Sequence, residues 1–91
     1  MNSERLNKVE ELILEEKAVE AREIFDGIEP EETVLYYFVK GQLEQKFQNF
    51  GEAINAFSKV IEMDPDNINA KNNLHIIQNI LNFWNPDMFN P

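Results

Sequence analysis

Helical periodicity is the feature of this sequence that most restricts its fold. Apolar residues recur every three or four positions in five segments, which run roughly over 3–16, 18–27, 34–47, 50–64 and 68–85. This spacing places the apolar side chains of each segment on one face of an α-helix. Short connections make consecutive helices antiparallel neighbours. We therefore predict an all-α fold of two helix hairpins followed by one further helix.

The composition agrees with a single small helical domain. The chain has 91 residues, of which 43% are hydrophobic and only three are glycine. A chain of this length forms one domain, and its core must be continuous and well packed. The sequence contains no cysteine, so neither a disulfide framework nor a thiolate zinc site is possible.

Charge and hydropathy narrow the classes of partner. The N-terminal residues contain no apolar stretch of signal-peptide length, and no run of about 18 apolar residues could span a membrane. The formal net charge is −9, and residues 1–33 alone contribute −7. Such a chain repels phosphate backbones. We expect a soluble cytoplasmic protein that binds neither nucleic acid nor membrane.

The two predicted hairpins resemble each other. The second and fourth segments carry apolar residues with the same 3-4-3 spacing, at an offset of 32 residues. These residues are Ala18, Ala21, Phe25 and Ile28 in the second segment and Phe50, Ala53, Phe57 and Val60 in the fourth. In both, a small alanine precedes a phenylalanine by one turn, so two helices can approach closely while the ring fills the adjacent gap. Periodicity alone leaves open whether the hairpins are repeats, because any amphipathic helix shows this spacing.

Residues 34–67 carry a more specific pattern of aromatic, small and proline residues at fixed distances. Its members are Tyr37, Gly41, Phe50, Ala53, Phe57, Val60 and Pro65. With them the segment resembles a complete tetratricopeptide repeat. Residues 1–33 look like a degenerate repeat, 68–84 like a capping helix, and 85–91 form a tail. The resemblance implies one domain over 1–91, in which about five helices stack as antiparallel hairpins in a short right-handed superhelix.

Three positions depart from the pattern of that family. Lys40 stands where a leucine is usual, Glu44 where a tyrosine is usual, and Gln48 where the turn between the two helices usually has a glycine. The first two departures concern the packing of the first helix of the repeat on its neighbours.

The resemblance implies a protein–protein interaction module whose concave helical groove holds a peptide or a partner domain. In this chain the groove maps to Leu35, Phe38, Val39, Gln42, Gln45 and Lys46 in the middle repeat, to Asn69, Asn72, Asn73, Ile76, Asn79 and Ile80 in the last helix, and to Leu6, Asn7, Glu10 and Ile13 in the first. Amide side chains both donate and accept hydrogen bonds, which suits peptide backbone groups, and apolar neighbours such as Phe38 can anchor a side chain. The same asparagines also fit an ordinary solvated helix surface.

The last helix carries more apolar surface than a terminal helix needs. One stripe contains Ala70, Leu74, Ile77, Leu81 and Trp84, a second contains Ile76, Ile80 and Phe83, and the tail adds Met88 and Phe89. Such a surface must be covered: by the tail, by a second copy of the chain, or by another protein. The alternative function is therefore a structural or self-associating protein with Ile80, Phe83, Trp84, Met88 and Phe89 at a homodimer interface.

The sequence offers no set of catalytic residues. His75 is the only histidine and falls on the polar side of the last helix, without the partners that triads and metal sites require. There is no glycine-rich phosphate loop and no nucleophile motif. We expect no enzymatic activity, no cofactor and no metal. An enzyme or small-molecule carrier with a pocket between the helices is a third alternative, but the sequence contains no set of residues that supports it.

Overall fold

The computed structural model describes residues 2–84, and the regular structure in that range is entirely helical. The helices are α1 (Asn2–Leu14), α2 (Ala18–Asp26), α3 (Val34–Lys46), α4 (Phe50–Met63) and α5 (Ile68–Trp84). The predicted all-α fold of five helices is confirmed, with bounds close to those expected. Within residues 2–84 no helix is long and apolar enough to cross a membrane.

Side chains that cap helices explain two of the observed starts. The Thr33 hydroxyl accepts a hydrogen bond from the Tyr36 backbone N–H at 3.2 Å, and Asn67 Oδ1 accepts one from the Ala70 backbone N–H at 2.9 Å. At the start of α4, Asn49 makes no side-chain cap, and its amide donates to a Glu44 carboxylate oxygen at 3.0 Å.

The turns inside the two hairpins have the same backbone geometry. Glu16, between α1 and α2, and Gln48, between α3 and α4, both have φ of 61°. This left-handed conformation is unfavourable for residues with a Cβ atom, and it sharply reverses the chain direction at a helix end. The two positions are separated by the same offset of 32 residues as the apolar residues of α2 and α4. The hairpins thus share their turn geometry as well as their apolar spacing.

The core consists of two adjoining clusters with α3 between them. The first joins α1, α2 and α3 through Leu6, Val9, Leu12, Ile13, Ala21, Phe25, Ile28, Tyr36, Val39 and Leu43. The second joins α4 and α5 through Ala53, Phe57, Val60, Ala70 and Ile77. Tyr37 of α3 packs against both clusters. The core is therefore continuous from α1 to α5, and α3 is its central element.

A close approach between α3 and α4 depends on one glycine. A Cβ atom built on Gly41 would lie 2.7 Å from two ring carbons of Phe57, whose side chain is fully buried. The absence of a side chain at Gly41 therefore lets the Phe57 ring fill the gap between the two helices.

A largely buried ion pair joins α2 to α3. Arg22 Nη2 donates to Glu44 Oε1 at 2.7 Å, and the Arg22 guanidinium lies 5.0 Å from the centre of the Phe47 ring. Glu44 is 7% exposed and accepts a further hydrogen bond from Asn49. The residue that departs from the expected tyrosine is thus a satisfied buried carboxylate that links the two hairpins.

Candidate functional site

Two surface hollows lie along α3 and α5. The first, which we call the amide hollow, has a volume of about 370 Å³ and is lined by Ile13, Leu14, Gln42, Gln45, Lys46, Gln48, Phe50, Asn73 and Ile80. The second, the Phe38 hollow, has a volume of about 360 Å³ and is lined by Val34, Leu35, Phe38, Asn67 and Asn69. Both hollows take residues from α3 and from α5.

The two hollows are neighbours along these helices. Phe38 and Gln42 are four residues apart on α3, and Asn69 and Asn73 are four residues apart on α5. Residues at this spacing lie one above the other on the same face of a helix. The hollows therefore belong to one surface, the α3–α5 face, and their nearest lining residues are one helical turn apart.

The chemistry of the amide hollow is mainly that of uncharged amides beside apolar groups. Lys46, the only cation among the described lining residues, forms a solvent-exposed ion pair with Glu16 at 2.9 Å. Gln42 Oε1 is buried, and no group within residues 2–84 donates a hydrogen bond to it. A buried acceptor without a donor is unfavourable by about 1–3 kcal/mol. The Gln42 side chain borders the hollow, but its Oε1 atom has almost no surface that a bound group could reach.

The Phe38 hollow is more apolar than the amide hollow, and packing holds the Phe38 ring in a fixed orientation. The Phe38 ring packs edge-to-face on Phe57, with ring centres 5.6 Å apart and planes at 68°. This geometry is favourable for aromatic pairs and fixes the orientation of the ring. Asn69 and Asn67 supply the polar part of the lining. Such a surface can accommodate an apolar side chain beside a polar main chain.

Most residues predicted to line a groove do lie on the α3–α5 face. Leu35, Phe38 and Asn69 line the Phe38 hollow, and Gln42, Gln45, Lys46, Asn73 and Ile80 line the amide hollow. Asn72, Ile76 and Asn79 are exposed beside the hollows but line neither of them.

Val39 was wrongly assigned to the groove. Its side chain has no exposed surface and packs in the first core cluster with Tyr36 and Leu43, because positions 36, 39 and 43 share the side of α3 that faces α1 and α2. Leu6 of α1, also assigned to the groove, is likewise buried in the first core cluster. Ile13 is also a core residue, although one edge of it borders the amide hollow.

The residues predicted for a homodimer interface are only partly described. Ile80 is half-buried, and Phe83 is 84% exposed. The side chain of Trp84 lies outside the described part of the structure, as do Met88 and Phe89 of the tail.

Five lining residues were not predicted from the sequence. They are Leu14, Val34, Gln48, Phe50 and Asn67. All of them lie at a helix end or in a turn, where the direction of a side chain depends on the turn geometry and not on the helical period. Gln48 carried a signal, because it occupies the position where the resembled family has a glycine.

Residues 2–84 contain no group of three or more His, Cys, Asp or Glu side chains arranged to hold a metal ion.

Comparison of the chain with models of known families, with curated proteins and with solved structures found no match.

Proposed function

We propose that this chain is a small protein-interaction module that binds an extended peptide segment of a partner on its α3–α5 face. The helix hairpins would stack like tetratricopeptide repeats and provide a rigid surface, so that binding needs no rearrangement and involves no chemistry. Two features support this stacking: the 32-residue offset between equivalent core residues, and the left-handed turn residues Glu16 and Gln48 at the same offset.

The spacing of the two hollows is the observation that carries the proposal. Their α3 lining residues are centred near positions 36 and 44, which a rise of 1.5 Å per residue separates by about 12 Å. In an extended peptide, side chains on the same side are two residues apart, or about 6.6 Å, so side chains four residues apart are separated by about 13 Å. Two side chains four residues apart in one extended segment therefore match the two hollows, and the intervening backbone would lie between the walls formed by α3 and α5.

The linings indicate which peptide fits. An apolar side chain would pack on Phe38 in one hollow, while the peptide main chain or a polar side chain would form hydrogen bonds with the amides of Gln45 and Asn73 in the other. Lys46 is the only cation among the described residues that line the two hollows, and it forms an ion pair with Glu16, so a peptide carboxylate would have to compete with Glu16 for it. We therefore infer that the preferred segment is internal or neutral, with one apolar residue, and does not end in a free C-terminal carboxylate.

Panning a random peptide display library against the full chain tests this proposal. Binding of selected peptides is then measured by fluorescence anisotropy for the wild type, Phe38→Leu and Asn73→Ala, with Gln78→Ala as the matched control. Gln78 is exposed on α5 but outside both hollows. We expect the two substitutions on the face to weaken binding by roughly tenfold each, as for residues central to an interface, and the control to leave the affinity unchanged.

Two results would contradict the proposal. One is a library selection in which no peptide binds above background. The other is a set of peptides that bind the wild type and both face variants equally, since that would place the binding surface elsewhere. Circular dichroism of each variant establishes that it remains folded.

A further inference from the structure

One apolar stripe on α5 is left exposed by the fold. The helix packs on α4 through Ala70 and Ile77, which are fully buried. Beside this buried side lies the α5 stripe, which we define as Ile76, Ile80 and Phe83. Ile76 is 48% and Phe83 84% exposed, while Ile80 is half-buried. These residues recur at helical spacing, so their apolar surface is continuous over about two turns.

The charge of the molecule is distributed away from this stripe. Residues 1–33 carry a net charge of −7 and residues 34–67 a further −2, whereas Lys71 is the one charged residue of α5. Two copies that approach through α1–α4 therefore bring like charges together. Two copies that approach through α5 bring together neutral, apolar surfaces, and their acidic helices stay apart.

We propose that the α5 stripe is a two-fold interface between two copies of this chain, in which the α5 helices pair in antiparallel orientation. The stripe has about the same shape from either direction, as an isologous interface requires. With the two-fold axis near Ile80, Phe83 of each copy faces the Ile76 region of the other.

The position of the stripe decides where the axis lies. The stripe spans positions 76–83, so two copies cover each other's stripe only if the axis lies near Ile80, toward the C-terminal end of α5. The two helices then overlap over about ten residues, or about 15 Å. A stable specific interface buries at least roughly 1,000 Å² in total, and so short a pairing buries less. The dimer is thus small and weak.

Charge also distinguishes a second copy from other occupants. A basic partner is attracted to the acidic surface of α1 and α2 and gains nothing at a neutral stripe. Binding of a basic partner weakens as salt increases, whereas association of two acidic chains strengthens because salt screens their mutual repulsion. The inference does not depend on the peptide-binding function proposed above, since it uses only the exposure and the charge of α5.

Sedimentation equilibrium over a range of protein concentrations tests the interface. We expect the mass of the wild type to rise from 10.7 kDa toward twice that value, and to do so at lower concentration in higher salt. Ile76→Glu should weaken the dimer at least roughly tenfold, because it places a charge against the apolar Phe83 region of the other copy. Gln78→Glu adds the same charge on the exposed polar side of α5 and should leave association unchanged.

Single cysteines give an independent geometric test, because the chain has none of its own. A disulfide requires Cα atoms within about 7 Å of each other, a distance that equivalent residues reach only near the two-fold axis. Ile80→Cys should therefore form a covalent dimer under mild oxidation, whereas Gln78→Cys should not.

The interface is refuted by a wild type that stays at 10.7 kDa at every concentration and salt level, or by equal association of Ile76→Glu and Gln78→Glu. It is also refuted if removal of residues 85–91 converts a monomer into a dimer. That result would mean that those residues cover the stripe in the full chain. Circular dichroism distinguishes a folded monomeric variant from an unfolded one.

Discussion

At the scale of single residues, Glu44 has a role that the sequence pattern did not reveal. A glutamate in place of an aromatic residue suggests loose packing, yet Glu44 is buried and hydrogen-bonded by Arg22 and Asn49. The pairing depends on Arg22, which lies 22 positions away in the other hairpin. Because no local pattern relates these two positions, only the tertiary structure shows that the charge is satisfied.

The ionisation of Glu44 should couple folding to pH. Burial alone would raise the pKa of its carboxyl, but hydrogen bonds from Arg22 and Asn49, together with the charges of Arg22 and Lys40, outweigh burial and hold the pKa below its ordinary value of 4.5. The folded state therefore favours the ionised form. The stability gained in this way is complete above pH 4.5 and is lost as the pH falls from there through the folded-state pKa.

Glu44→Gln tests this coupling, because it replaces the carboxylate with a neutral amide of similar shape. We expect the free energy of unfolding in urea at pH 7 to fall by about 2–3 kcal/mol, as expected when one member of a largely buried ion pair is removed. The difference from the wild type should shrink as the pH falls below 4.5. Lys46→Ala is the control: its pair with Glu16 is also short at 2.9 Å but exposed, and its loss should change stability by less than about 1 kcal/mol. A Glu44→Gln effect that stays constant between pH 7 and pH 3 would contradict the role of ionisation.

At the scale of helices, the sequence predicted bounds well because they depend on local features. These features are the apolar periodicity, Pro65 and the cap at Asn67, and each lies within or beside the helix that it delimits. The assignment of faces was less accurate. Val39 was placed in the groove although it faces the core, because α3 packs on two sides and its period does not tell which of its apolar residues face solvent. The hollow residues Leu14, Gln48 and Phe50 depend on turn geometry, which periodicity does not describe.

The packing of α3 on α4 gives a prediction with a matched control. Gly41→Ala places a methyl group 2.7 Å from the buried Phe57 ring, so the helices must separate, and we expect a loss of about 1–3 kcal/mol in the free energy of unfolding. Gly51→Ala also introduces alanine into a helix, but its Cβ atom would meet nothing within 4 Å. It should stabilise the protein by up to about 1 kcal/mol. Urea denaturation of both variants measures this contrast, and a similar effect of the two substitutions would mean that the close approach at Gly41 does not limit the packing.

At the scale of the whole molecule, the peptide-binding face and the α5 stripe share a helix. Ile80 lines the amide hollow and also lies at the centre of the stripe. Asn73 and Asn69, which border the two hollows, lie on the same side of α5 as Ile76 and Ile80. A second copy placed over the stripe would therefore cover one wall of the face. If both proposals hold, the two binding events exclude each other.

Competition between the two events is measurable. The apparent affinity for a selected peptide should fall as the protein concentration rises, because only the monomeric fraction is able to bind. Excess peptide should in turn shift the sedimentation mass toward 10.7 kDa, by mass action on the monomer. Ile76 lines neither hollow in the wild type, so the Ile76→Glu variant should bind peptide with an affinity that does not depend on protein concentration. Gln78→Glu should behave like the wild type. A dimer that binds two peptides without dissociating would show that the stripe and the peptide-binding face are separate surfaces.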